Sequence, residues 1–292
     1  MARRDHTNAA ATAVLAPTPR PDRADTGAVI PMAQVLDDAP PFERPSPGSP
    51  RVNVQEAAAR YAFAADALRT LRVLDVASGT GLGSEFLLTR GARFVVGVES
   101  AAEALCQART RSAPFGPHFV RADARALPFG DASFDAVVSF ETIEHLNDAS
   151  GLLAECRRIL RPGGCLYLST PNRTVTHWLP SNPFHVREFT DAEIVDLVRQ
   201  YFGSVTCFWQ RPVFLTTFAL RQIARRSLTA LPGGSTFWRI WKHMRPRRTQ
   251  LAGMVWSGSH FDESLLQDRF YSVAAARRTI WMHPTYIVLV AR

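Results

Sequence analysis

Apolar runs of strand length alternate with segments of helical spacing through the first two thirds of the chain. The runs fall at 72–77, 94–98, 118–120, 136–140 and 165–169, and helical patterns lie between them at 84–90, 101–111 and 150–160. The runs are continuously apolar rather than alternating, which predicts parallel strands covered on both faces. A helix over 54–69, free of Gly and Pro, precedes the first strand. A further helix is predicted over 191–201 with Thr190 as its N-cap, then strands at 205–210 and 286–290. The fold class is therefore α/β: a Rossmann-like, seven-stranded, mostly parallel sheet with helices on both faces.

Two regions leave this rhythm. Residues 1–50 are rich in Ala, Pro, Arg and Asp and hold too little apolar surface to offset their ordering entropy, so they read as a disordered leader. Arg3 and Arg4 are followed by Asp5, His6, Thr7 and Asn8 rather than by an apolar run, so no export signal is read. Residues 212–284 carry helical stretches at 216–228 and 237–248 and read as a helical insertion before the last strand, an acceptor lid or oligomer contact within a single domain over 51–292.

Composition narrows the class. The chain has 292 residues, 46% of them hydrophobic and 21% charged, as in ordinary globular proteins. No apolar run approaches the roughly eighteen residues of a membrane span. Cys106, Cys156, Cys165 and Cys207 show no ligand spacing and read as reduced thiols of a cytoplasmic protein. The net charge is +8. Arg221, Arg225, Arg226, Arg239, Lys242, Arg245, Arg247 and Arg248 concentrate that charge late in the chain. Such a patch can attract phosphates, but no nucleic-acid-binding motif accompanies it, so nucleic acid is disfavoured as a partner.

The first strand ends in Asp75-Val76-Ala77-Ser78-Gly79-Thr80-Gly81-Leu82-Gly83, which opens a helix. Glycines admit a ligand close to the backbone, and a helix N-terminus offers N–H groups to a carboxylate. The dinucleotide fingerprint begun at Gly79 would require Gly or Ala where Ser84 stands. Glu99, at the end of the second strand, can accept from ribose hydroxyls, and Asp123, after the third, from an adenine amine. An adenosine with an amino-acid tail and no pyrophosphate satisfies all three sites.

With VLDVASGTGLGS, VVGVES, RADARALPFGDASFDAVVSFETIEHL and RRILRPGGCLYLSTPNR in this order, residues 73–173 resemble the core of class I S-adenosylmethionine (SAM)-dependent methyltransferases, especially the branch acting on small molecules and glycans. The resemblance implies that Asp75 and Ala77, Ser78, Gly79 and Gly81 cradle the methionine part. It places Glu99 and Ser100 at the ribose, Asp123 and Ala124 at the adenine edge, and Phe140 and Glu141 beside the sulfonium. Two positions depart from the commoner pattern: Ala77 opens the glycine motif, and the ribose acid is Glu99 rather than Asp.

On the acceptor side, Glu141, Glu144 and His145 would share one face if 141–145 began a helix. His145 or His185 could serve as general base for an acceptor hydroxyl. Alternatively, Glu141, Glu144, His145 and His185 could hold Mg²⁺ or a similar ion, or the two segments could serve only packing. The ExxEH string is similar to that of ubiquinone-biosynthesis O-methyltransferases. Together with His185-Val186-Arg187-Glu188-Phe189-Thr190 it resembles small-RNA 2′-O-methyltransferases. Tyr61 could close over the cofactor or simply pack on the sheet. Trp209, Gln210, Phe214, Phe218, Phe237, Trp238, Trp241 and Trp256 could line an acceptor pocket, or form core or homodimer contacts. The expected activity is methyl transfer to a hydroxyl oxygen of a small molecule or glycan. The rivals are an RNA 2′-O-methyltransferase and a SAM-binding protein without catalysis.

Overall fold

A computed structural model describes residues 45–112, 114–229, 256–275 and 282–292. Most of the proposed leader, the helix expected at 237–248 and the basic residues from Arg239 to Arg248 lie outside the described residues. The chain order is α1 (Arg51–Ala65), β1 (Arg72–Val76), α2 (Leu82–Thr89), β2 (Phe94–Glu99), α3 (Ala102–Arg111), β3 (His118–Arg121), β4 (Phe134–Phe140), α4 (Ala149–Ile159), β5 (Leu160–Pro171), α5 (Arg173–Thr176), α6 (Asp191–Arg199), β6 (Val205–Phe214), α7 (Leu215–Thr229), α8 (Glu263–Leu266), β7 (Val273–Ala275) and β8 (Met282–Ala291).

One sheet of eight strands runs β3-β2-β1-β4-β5-β8-β6-β7. The first five strands are parallel. β8 inserts antiparallel between β5 and β6. The expected count of seven is one short, because Val273–Ala275 adds an antiparallel edge strand. At three residues, Val-Ala-Ala, it carries no strand signature of its own.

Both faces of the sheet are buried, and strand period two sorts the residues between them. Val73, Val95, Ala136, Val138, Cys165 and Tyr167 pack under α1 and α2. Leu74, Val76, Val96, Val98, Val137, Leu166 and Leu168 pack against Leu152, Leu153 and Ile159 of α4 and Ile194 and Val198 of α6. This two-sided burial is why the strands read as continuous apolar runs. Thr190 caps α6 in a full capping box with Glu193, as the N-cap reading expected. Among the described residues no helix is long and apolar enough to cross a membrane.

The last residues of the leader are folded onto this body. Thr80 Oγ1 donates to the Pro45 carbonyl at 2.9 Å. Gly48 N–H donates to the Trp256 carbonyl, and Trp256 N–H to that of Ser49. Trp209 and Trp256 are buried, so both serve packing, whereas Phe214 is exposed. Phe237, Trp238 and Trp241 lie outside the described residues.

Candidate active site

The carboxyl ends of the parallel strands carry two clusters. The first surrounds the turn after β1. Asp75 is fully buried on the α1 face of the sheet. Its Oδ1 accepts from Tyr61 Oη at 2.9 Å and its Oδ2 from Ser84 Oγ at 2.6 Å. Burial raises its pKa to about 7, although both hydroxyls oppose the rise; the Glu99 charge adds to it. Tyr61 itself meets Phe140 edge-on at 5.1 Å. A Cβ on Gly83 would lie 1.9 Å from the Tyr61 ring, so Tyr61 reaches Asp75 only because residue 83 has no side chain.

The turn is wound through left-handed conformations at Ala77 (φ 60), Gly79 (φ 56) and Gly81 (φ 80). Ala77 adopts this φ despite its Cβ, at a cost of roughly 1–2 kcal/mol. Gly81 is the N-cap of α2, with no side-chain cap on the helix, and Ser78 Oγ is buried without a hydrogen-bond partner. Unclaimed donors at a helix start suit a carboxylate or similar anion.

The Glu99 carboxylate bridges the neighbouring loop. It accepts from Gly79 N–H at 3.0 Å, Ala101 N–H at 2.8 Å and Ser100 Oγ at 3.4 Å. Asp123, after β3, is held by the Arg125 backbone N–H at 2.8 Å and guanidinium at 3.0 and 2.6 Å. Those bonds bring its pKa down to about 2. Ala124 follows it, partly buried.

The second cluster lies after β4. The helix expected from Glu141 is a single 3₁₀ turn, Ile143–His145. Glu141 stands before it at φ 52, pinned to β5: its N–H donates to the Ser169 carbonyl at 3.1 Å, and its Oε1 accepts from Ser169 Oγ at 2.6 Å. Glu144 is fully buried. One oxygen accepts from Thr170 Oγ1 at 2.9 Å, and Oε1 has no hydrogen-bond partner. Burial, and then the neighbouring Glu141 charge, push its pKa well up.

The backbone delivers His185 to this turn. Val186 N–H and Arg187 N–H both donate to the Glu144 carbonyl, and His145 Nδ1 bonds to the Phe184 carbonyl at 3.0 Å. The two imidazoles meet at 4.9 Å. His185 Nδ1 bonds to Glu188 Oε1 at 2.6 Å and Nε2 to the Asn182 amide at 2.9 Å. Burial opposes the Glu188 charge, but the bonds from His185 and Thr176 outweigh it and lower its pKa. Candidate ligand atoms of Glu144, His145 and His185 lie within 4.8 Å of one another. Glu141, expected in the same set, is not part of that group; its left-handed backbone turns it to Ser169 instead.

Ser84 and Arg60 were missed in the sequence. Ser84 was weighed only as a misfit to the dinucleotide pattern. Arg60 is the second of two arginines in the Ala-rich α1, and only burial of its face distinguishes it.

A parallel sheet with a glycine turn after β1, an acid ending β2 and a polar turn after β4 defines a nucleoside-cofactor α/β fold. Residues 74–168 match the methyltransferase domain family. A "Probable S-adenosylmethionine-dependent methyltransferase" of Mycolicibacterium smegmatis is 39% identical over 134 residues, 43% of this chain and 49% of that protein. A ubiquinone biosynthesis O-methyltransferase of Idiomarina loihiensis is 38% identical over 117 residues, 39% of this chain and 48% of that protein. The chain thus spans about half the length of the curated relatives it matches. In fold it is similar to a SAM-dependent methyltransferase structure from Thermotoga maritima, with a TM-score of 0.52 at 19% identity over 82% of this chain and 92% of that one. Over residues 74–168 the chain is thus similar to methyltransferase domains, and the relatives it matches at 38–39% identity include SAM-dependent methyltransferases.

Proposed function

We propose that the protein transfers the SAM methyl group to a hydroxyl oxygen of a small-molecule or glycan acceptor. The observation that supports this is the meeting of His145, in the turn after β4, with His185, which the loop before α6 brings to it, at the end of the strand where Phe140 packs edge-on against Tyr61. In this reading the methionine part of SAM lies along Asp75 and Ala77–Gly81, its carboxylate at the uncapped N-terminus of α2. Glu99 and Ser100 hold the ribose, Asp123 and Ala124 the adenine edge, and Phe140 and Glu141 flank the sulfonium. SAM supplies an activated methyl group. The protein excludes water, aligns the acceptor oxygen and removes its proton. The bond from His145 Nδ1 to the Phe184 carbonyl fixes the ring's orientation, and in this reading His145 takes that proton. The ubiquinone-biosynthesis relatives support oxygen as the acceptor atom.

A second reading is favoured by Glu144. A buried carboxylate oxygen with no partner, beside two imidazoles, calls for a proton or a cation. One carboxylate and two imidazoles fit a borderline ion such as Zn²⁺ or Fe²⁺ better than Mg²⁺, which prefers oxygen ligands. Such an ion would polarise the acceptor hydroxyl.

Labelled-methyl transfer from SAM into cell extracts tests both readings. His145→Ala should reduce transfer to organic-extractable metabolites about a hundredfold or more, with S-adenosylhomocysteine affinity unchanged. Transfer retained in His145→Ala refutes the base. If chelation abolishes transfer and Zn²⁺ or Fe²⁺ restores it, the second reading holds. Label found only in RNA would replace the small-molecule acceptor with RNA.

A further inference from the structure

Arg60 follows α1 to a different face from Tyr61; the Glu144 carboxyl is near enough to feel its charge, but no carboxylate pairs with it directly among the described residues. It is 5% exposed. Its Nη1 donates to Gln210 Oε1 at 2.7 Å, and the guanidinium lies 4.9 Å from the Tyr286 ring centre. Gln210 is fixed in this role, because its Nε2 donates to the carbonyls of Glu56 at 2.9 Å and Tyr271 at 2.7 Å. The neighbouring cation, Arg211, has a counter-ion in Glu56 at 2.5 Å. Arg60 forms no ion pair among the described residues, and its Nε–H is buried without a partner. An unpaired buried cation with an orphaned donor is unfavourable unless an anion completes it.

Its place in the sheet says which anion. Tyr286 pairs with Gln210 on β6 and with Pro171 at the end of β5. β8 is separated from β1 by β4 and β5, so Tyr286 lies about three strand spacings, roughly 14 Å, from the glycine turn. The Phe140–His145 segment lies between. The carboxylate of SAM already has its place at the start of α2. We infer that Arg60 is the receptor for a carboxylate on the methyl acceptor, which makes the acceptor an organic acid bound acid-first over β8 and β6. A planar guanidinium pairs a carboxylate through parallel N–H donors. With Glu144 near enough to share the Arg60 charge, a singly charged carboxylate fits there better than a doubly charged phosphate. The inference rests on the donor placement proposed above.

The test uses the full chain saturated with S-adenosylhomocysteine. Benzoate is titrated against its neutral isostere benzamide, and crystals of the complex are soaked in sodium bromide. Benzoate should bind at least tenfold more tightly than benzamide. Bromide should appear within hydrogen-bonding distance of the Arg60 guanidinium. Arg60→Gln should lose both effects, and Arg60→Lys, which keeps the charge, should retain the benzoate preference in part. Equal affinities for the two probes, or no bromide at Arg60, overturn the inference and leave the donor site standing. A tenfold loss of S-adenosylhomocysteine affinity in folded Arg60→Gln also overturns it, by assigning the guanidinium to the donor's carboxylate. Failure of the unsubstituted protein to bind S-adenosylhomocysteine would instead refute the proposed function.

Discussion

Asp75→Asn should stabilise the donor-free protein at high pH while weakening donor binding. Asp75 is fully buried, and burial raises its pKa from 3.8 to about 7. Between those values the folded chain holds a proton that the unfolded chain releases. The stability from that proton is complete below pH 3.8 and is lost as pH rises through 7. Integrated between pH 5 and pH 8, this one group accounts for a fall of about 2–3 kcal/mol. Asn has the same shape and does not titrate, and the Tyr61 and Ser84 hydroxyls can reorient to meet its amide. Urea unfolding of the donor-free protein at pH 5 and pH 8 measures the difference. The unsubstituted protein should lose about 2–3 kcal/mol more than Asp75→Asn over that interval; shared titrations cancel. Under the donor placement proposed above, the variant should bind S-adenosylhomocysteine at least tenfold more weakly, having lost a carboxylate charge beside the methionine part. Parallel pH profiles for the two proteins would refute the reasoning.

Gly83→Ala places a Cβ 1.9 Å from the Tyr61 ring. It should cost about 1–3 kcal/mol by overpacking and weaken S-adenosylhomocysteine binding, as seen by thermal unfolding with and without ligand; an unchanged melting temperature would contradict the packing described. Thr190→Ala removes the capping box of α6 and should cost about 1 kcal/mol in urea unfolding, with no change in ligand affinity. Arg125→Ala frees the Asp123 carboxylate and should return its depressed pKa toward 3.8, a shift that NMR titration of the side chain would detect.

The sequence revealed most where a physical requirement was local. Val73–Val76, Val95–Val98 and Val137–Val138 are buried from both sides, so their runs announced parallel strands. The turn from Asp75 to Gly83 announced itself through glycines at a strand–helix junction. Thr190 and Glu193 form a box readable at three-residue spacing. The features that stayed hidden depend on distant partners. β6 runs past Pro212 to Phe214 because β7 pairs only with Phe208–Gln210, so the missing Pro212 N–H leaves no gap in that ladder. Glu141 sits at a left-handed φ that only its bonds to Ser169, on another strand, explain; helical spacing therefore grouped it wrongly with Glu144 and His145. Arg60 carries no signal of its own in the sequence, because its burial depends on Gln210 and Tyr286, which only the fold brings over it.

Equilibrium dialysis of the full chain against labelled SAM tests the central claim most directly. The account predicts saturable retention of one equivalent, displaced by unlabelled S-adenosylhomocysteine. No retention by folded protein at saturating donor would contradict it.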